Sequence, residues 1–140
     1  IAMQVPLAVL EASGKAITAT MNQPWHFFWS TGTLSSFLDN APTYVVFFKL
    51  SHSLPEGEML PLGEVNGVEQ FIPILLLVAV SLGSVFMGAM TYIGNGPNFM
   101  VKAIAEQEGI EMPSFFGFMF KYSIPVLIPV FVLITIIFLL

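Results

Sequence analysis

Ser35-Ser36-Phe37-Leu38-Asp39-Asn40-Ala41-Pro42-Thr43 places the only aspartate of the chain between two apolar runs. The other acidic residues are glutamates, and Glu56, Glu58, Glu64, Glu69, Glu106, Glu108 and Glu111 all fall in segments that read as loops. A carboxylate at bilayer depth costs about 2.5–3.5 kcal/mol on insertion scales, so a residue kept there reads first as functional. In a soluble setting Asp-Asn-Ala-Pro would be an ordinary helix cap. The apolar flanks tip the balance toward function.

Those flanks are short. Residues 24–37 make about 21 Å of helix at about 1.5 Å per residue, against a hydrocarbon core of about 30 Å. Pro24 opens this piece, and the aromatics of Trp25-His26-Phe27-Phe28-Trp29 suit a membrane–water interface. A second short apolar piece, 44–50, ends at Lys49 and His52. Two half-length pieces meeting at a polar tip that contains Pro42 predict a re-entrant hairpin over 24–52. Irregular backbone at that depth is tolerated only where it is buried in protein or lines a wet cavity.

Working outward, 1–14 reads as the end of a preceding helix and 53–70 as a hydrophilic extramembrane loop. Residues 71–107 read as a broken transmembrane helix, and 114–140 as a terminal one that Pro125 and Pro129 kink. Positions 71–100 and 122–140 carry no charged residue, and each run exceeds the roughly 18 residues a spanning helix needs. Gly83, Ser84, Gly88 and Ala89 offer small faces for close helix packing. Composition agrees, with 56% hydrophobic and 9% charged residues and a mean hydropathy of +0.84. An average soluble domain is about 25% charged, so the chain is expected to be an integral membrane protein. Beginning at Ile1 and ending within an apolar run at Leu140, it reads as a fragment. With no cysteine, thiolate metal sites and disulfides are excluded. A net charge of −5 without arginine lacks the electrostatic footprint of nucleic-acid binding.

A second stretch, Gly94-Asn95-Gly96-Pro97-Asn98, repeats the Asn-x-Pro-polar pattern of Asn40-Ala41-Pro42-Thr43. Asparagine suits a helix N-cap and proline the first helical turn, so each tip should start a half-helix whose positive end faces the membrane interior. Paired discontinuous helices near the midplane are the usual construction of secondary-transporter sites. Asp39 would supply charge, while Ser35, Ser36, Asn40, Thr43, Asn95 and Asn98 supply neutral oxygens for a hard monovalent cation. Gly94, Gly96, Pro42 and Pro97 break the helices. A desolvated carboxylate holds its proton to higher pH, which would let Asp39 exchange a proton for that ion. The plainer reading of 94–98 is an interhelical turn at the membrane surface, where such residues also cluster. His26 and His52 read as interfacial packing, Trp25 and Trp29 as interface anchors, and Glu106, Glu108 and Glu111 as a solvated turn.

At these motifs the sequence resembles the ion transporter superfamily, which includes sodium–proton antiporters, arsenite-efflux permeases and citrate or dicarboxylate carriers. The residues that carry the resemblance run from Phe27-Phe28-Trp29-Ser30-Thr31-Gly32-Thr33-Leu34 through Ser35 to Thr43. A second match is Gly88-Ala89-Met90-Thr91-Tyr92-Ile93-Gly94-Asn95-Gly96-Pro97-Asn98, followed by Ala103-Ile104-Ala105-Glu106. The resemblance implies two inverted repeats, each with a re-entrant hairpin and a broken helix, of which this chain would be the C-terminal set. It also implies that Asn40, Pro42 and Thr43 sit at the tip holding cation and substrate contacts, and that Asn95 to Asn98 form the unwound middle of the broken helix. Dicarboxylate carriers typically show Ser-Asn-Thr at such a tip. Here Asp39 precedes Asn40 and Pro42 separates it from Thr43, which favours a cation or proton couple.

The expected fold is therefore an all-α integral membrane unit: a re-entrant helical hairpin, one discontinuous transmembrane helix and one terminal transmembrane helix. The leading function is a secondary active ion transporter exchanging sodium for protons, with Asp39 as the titrating ligand. The alternative is a carrier of citrate, another carboxylate or arsenite. An intramembrane aspartyl protease would need two carboxylates sharing a proton, and only Asp39 qualifies; a purely structural subunit is the remaining class. No enzyme activity and no cofactor other than a sodium ion are expected. Expected partners are the lipid bilayer and the N-terminal part of the transporter, with a homodimer as a further option and no nucleic acid. Lys102 and Lys121 flank the turn at 106–113 whereas 51–70 has no lysine, which puts that turn in the cytoplasm. The C-terminus then lies outside, in the cytoplasmic membrane of a bacterium.

Overall fold

The computed structural model describes residues 21–52, 54, 57–65 and 68–140. The helix end expected over 1–14 lies outside the described residues.

Helix α1 spans Pro24–Ser35, with Pro24 in its first turn where no N–H is required. Its buried residues Phe27, Phe28, Thr31, Gly32 and Ser35 recur at helical spacing and form one face. The chain turns through 36–39, where the N–H groups of Phe37 and Leu38 both donate to Leu34 O at 3.1 and 2.9 Å. Helix α2, Asn40–His52, buries Thr43, Phe47, Leu50 and Ser51 and carries Lys49 and His52 in its last turn, where cations suit the helix dipole. A helical hairpin therefore occupies the segment where the sequence predicts one. Its arms of 12 and 13 residues reach only about 18–20 Å each.

The segment expected as a loop over 53–70 departs from that expectation. Strands β1 (Met59–Val65) and β2 (Val68–Pro73) form an antiparallel pair running from Met59 opposite Pro73 to Val65 opposite Val68. The register slips between Pro61 and Gly63, and Gly63 takes a φ of +106° that only glycine adopts without strain. Prolines and glycines disguise this hairpin as a loop. Because β2 uses residues 71–73, the next helix begins later than 71.

Helix α3, Ile74–Phe86, buries Leu76, Ala79, Val80, Gly83 and Ser84, the i, i+3, i+4, i+7, i+8 pattern of a helix packed on one side. It lies against α1 at close range. A Cβ on Gly83 would stand 2.5 Å from Phe28 O, and one on Gly32 would strike the Met87 side chain. Small residues here let two backbones approach as membrane helices do. The helix tightens into a 3₁₀ turn, Met87–Met90, and then stops. Together these give 17 apolar helical residues, too few to span as one helix, where the uncharged run 71–100 predicts a long one.

Residues 91–95 are non-helical, with bends and extended backbone at Thr91 and Asn95, before helix α4, Gly96–Gln107, begins with Pro97 in its first turn. The unwound stretch thus precedes the expected 95–98, and Gly96, Pro97 and Asn98 already belong to α4. Helix α4 ends at Gly109, whose φ of +81° and the Ile110 N–H to Ala105 O bond of 3.0 Å make a left-handed C-terminal cap.

Helix α5, Phe115–Leu139, is started by the Ser114 hydroxyl, which accepts from Gly117 N–H at 3.2 Å. It runs on through Pro125 and Pro129, with wider turns at Met119–Ser123 and Thr135–Leu139. The first wide turn lies directly before Pro125, whose ring displaces the normal bond to the preceding turn. Among the described helices α5 is the one long and apolar enough to cross a membrane, with a mean hydropathy of 2.6. The core joins α1, α2, α3 and α5 through Phe27, Phe28, Phe47, Val80, Met87 and Phe131, with Phe28 edge-on to Phe131 at 6.1 Å. Trp29 Nε1 donates to Thr135 Oγ1 at 3.1 Å and fixes the end of α5 on α1. The described fold is mostly helical.

Candidate functional site

The hairpin tip and the helix break, 55 positions apart, meet in the folded chain. Ser35 and Ser36 close α1 with their hydroxyls turned into α3. Ser35 Oγ donates to Ser84 O, and Ser36 Oγ lies 2.9 Å from both Gly32 O and Met87 O. The two hydroxyls thus tie the end of α1 to carbonyls near the end of α3 and in the 3₁₀ turn that follows it.

Asn40, the first residue of α2, completes the contact. Its surroundings fix the amide with Nδ2 facing three acceptors: Ser35 Oγ at 2.8 Å, Ser84 O at 2.9 Å and Gly94 O at 2.7 Å. The side chain therefore bridges the end of α1, the end of α3 and the break. Room for it comes from missing side chains. A Cβ at Gly88 would lie 2.3 Å from the Asn40 amide and 2.7 Å from Gly94 O. One at Gly94 would lie 2.6 Å from Ser35 O and 2.9 Å from both Ser36 O and Gly88 O. Three backbone carbonyls thus turn toward one buried glycine.

Thr91, which the sequence pattern does not single out as a site residue, is fully buried at the centre. Its hydroxyl donates to Ser36 O and accepts from Gly94 N–H at 2.9 Å and Ile93 N–H at 3.2 Å. The signal for it lies in Thr91-Tyr92-Ile93-Gly94, where a threonine just ahead of a glycine break can bond the backbone of the turn it starts. Asn98, on α4, donates from Nδ2 to Ala89 O at 3.3 Å and Thr91 O at 3.2 Å, carrying the network into the second half-helix.

Other expected site residues are placed differently. Asp39 is exposed at the tip, and its carboxylate accepts the Asn40 N–H at 2.7 Å. Thr43 is buried, with its hydroxyl turned back along α2 to Asp39 O at 3.1 Å. Asn95 is half-buried and makes no side-chain cap bond to α4. Pro42 and Pro97 occupy the first turns of their helices, and Gly96 and Pro97 are exposed. Among the described residues none of Asp39, Thr43 and Asn95 bonds across the contact.

The Asn40 amide thus links the N-terminus of α2, at Asn40, to the residues that lead into the N-terminus of α4, at Gly96. Each carries the positive end of a helix dipole, and α4 leaves first-turn N–H groups unclaimed by a side-chain cap. Beyond the break, Tyr92 stacks on Phe118 at 4.4 Å, donates to Pro113 O at 3.3 Å and sits under Lys102 Nζ at 5.5 Å. Lys102 also pairs with Glu106 one turn along α4. Among the described residues no three His, Cys, Asp or Glu side chains gather as a metal site. The chemistry available here is that of main-chain oxygens, hydroxyls, the amides of Asn40 and Asn98 and two helix ends.

No curated protein and no solved structure matches the chain. A family model described as "Putative citrate transport" matches residues 2–139, the hairpin tip, the helix break and all five helices included, and the chain belongs to that citrate-transporter-like family of membrane proteins.

Proposed function

We propose that the chain forms part of a secondary active carrier of citrate or a related carboxylate, with the clasp of hairpin tip and helix break as one wall of its site. The observation that carries this reading is the Asn40 amide. It stands on the first residue of α2 and reaches Gly94 O, two positions before α4 begins, so it ties the start of one half-helix to the entry of the other. Such ends attract carboxylates through free N–H groups and dipole. With four lysines and no arginine the chain has few side-chain cations, and the helix ends supply the positive potential instead. The carbonyls of Ser35, Ser36 and Gly88 support a coupled sodium ion at the same place, since hard cations take oxygen ligands. The family supports the citrate alternative over sodium–proton exchange. The hairpin is read as re-entrant, the membrane as a bacterial cytoplasmic membrane, and the turn between Lys102 and Lys121 as cytoplasmic.

One observation favours a second reading. Asp39 carries a carboxylate at the tip without a salt bridge among the described residues, as a titrating ligand in sodium–proton exchange would. Citrate uptake into vesicles holding the full-length protein, under an imposed sodium gradient, separates the two. Asn40→Ala leaves Gly94 O without its donor, a loss of about 1–3 kcal/mol, and should reduce uptake about tenfold or more. Asp39→Asn should keep most of it. Loss of ion movement in Asp39→Asn, with no citrate uptake by the unaltered protein, would establish the second reading in place of the first.

A further inference from the structure

The geometry points to the Thr91 hydroxyl as the positioning group that holds the entry to α4 against the end of α1. This rests on the carrier reading above. Thr91 lies outside both repeated motifs, yet it is fully buried and its one hydroxyl uses its full bonding capacity. The proton goes to Ser36 O at the end of α1, and the lone pairs receive Ile93 N–H and Gly94 N–H at the entry to α4. Its carbonyl accepts the Asn98 amide from within the first turn of α4. One residue therefore touches α1, the break and α4, and every bond it makes is to a backbone atom or to Asn98. The Asn40 amide ties the start of α2 to the same Gly94. A hydroxyl lost at Thr91 releases the Ile93 and Gly94 N–H groups from the end of α1 while the Asn40 bond to Gly94 O stays, so the entry to α4 loosens against α1 without the hairpin coming apart.

Replacement by valine keeps the shape and removes the hydroxyl, whereas serine keeps the hydroxyl. Citrate uptake by Thr91→Val and Thr91→Ser is measured in vesicles with the full-length protein, beside Ser81→Ala, which loses a hydroxyl bonded only within α3. Amide exchange at Ile93 and Gly94 is followed in the same preparations. Thr91→Val should raise the KM for citrate about tenfold with Vmax kept within about twofold, and speed exchange at both amides about tenfold, as expected for one buried hydrogen bond. Thr91→Ser and Ser81→Ala should stay within about threefold of the unaltered protein. A role in folding alone would lower Vmax with the amount of protein and leave KM untouched. That outcome, unchanged exchange at Gly94, or a serine variant that behaves like valine overturns the assignment. Absence of citrate uptake by the unaltered protein overturns the carrier reading instead, and the exchange rates then decide Thr91 by themselves.

Discussion

At the scale of single residues, the clasp depends on what is missing from Gly88 and Gly94 as much as on what Asn40 and Thr91 provide. An alanine at 94 would set its Cβ among three backbone carbonyls, none of which belongs to a side chain that could swing away. Gly94→Ala should destabilise the purified protein by about 1–3 kcal/mol, the usual range for overpacking a filled site. Gly96→Ala, with nothing within 4 Å of its Cβ, should leave stability unchanged or raise it by up to about 1 kcal/mol. Thermal unfolding of the two variants checks this, and equal melting temperatures would mean that hairpin and break do not touch. Ser35, Ser36, Asn40 and Gly94 stand in the two stretches that the sequence singles out, and the fold brings those stretches together. Thr91 was not legible in this way, since its acceptor Ser36 O lies across the contact, and Gly88 read only as a small face for helix packing. Asp39 stands exposed beside Phe37 and Leu38, which are exposed as well, so apolar neighbours in sequence do not by themselves enclose it.

Helices and strands show where local chemistry decides and where it is overridden. Proline in the first turn places the starts of α1 and α4, and it recurs in the first turn of α2. The break in the uncharged run was legible too, though displaced: extended backbone begins at Thr91 because the 3₁₀ turn Met87–Met90 has already ended α3. The β-hairpin was hidden by its prolines, glycines and glutamates, which read as a loop until cross-strand partners are known. Its register sets Glu64 directly opposite Glu69, two like charges that disfavour pairing. Glu69→Lys turns this repulsion into attraction and should stabilise the hairpin by about 0.2–1 kcal/mol. Slower amide exchange over β1 and β2 is the expected reading, and no change would show that the two side chains diverge from the strand pair.

For the molecule as a whole, the family and the apolar α5 place the chain in a membrane. Leu133, Ile136, Ile137 and Phe138 stand exposed on α5 while Phe131 and Leu139 turn inward. Leu133→Lys should therefore weaken membrane insertion of α5 by about 2.5–3.5 kcal/mol, seen as protein extracted by alkaline carbonate that the unaltered chain resists. Retention equal to the unaltered protein would mean that this face looks onto protein or water. The terminal span was legible because nineteen uncharged positions leave few alternatives. The division of labour inside the clasp reaches further. Most of its acceptors, Gly32, Ser36, Ser84, Met87, Ala89, Thr91 and Gly94, contribute backbone carbonyls. No codon change removes a backbone carbonyl, so its inheritable variation is confined to a few donors and the glycines that admit them. A lineage could drift widely in side chains around this contact and still inherit the same joint.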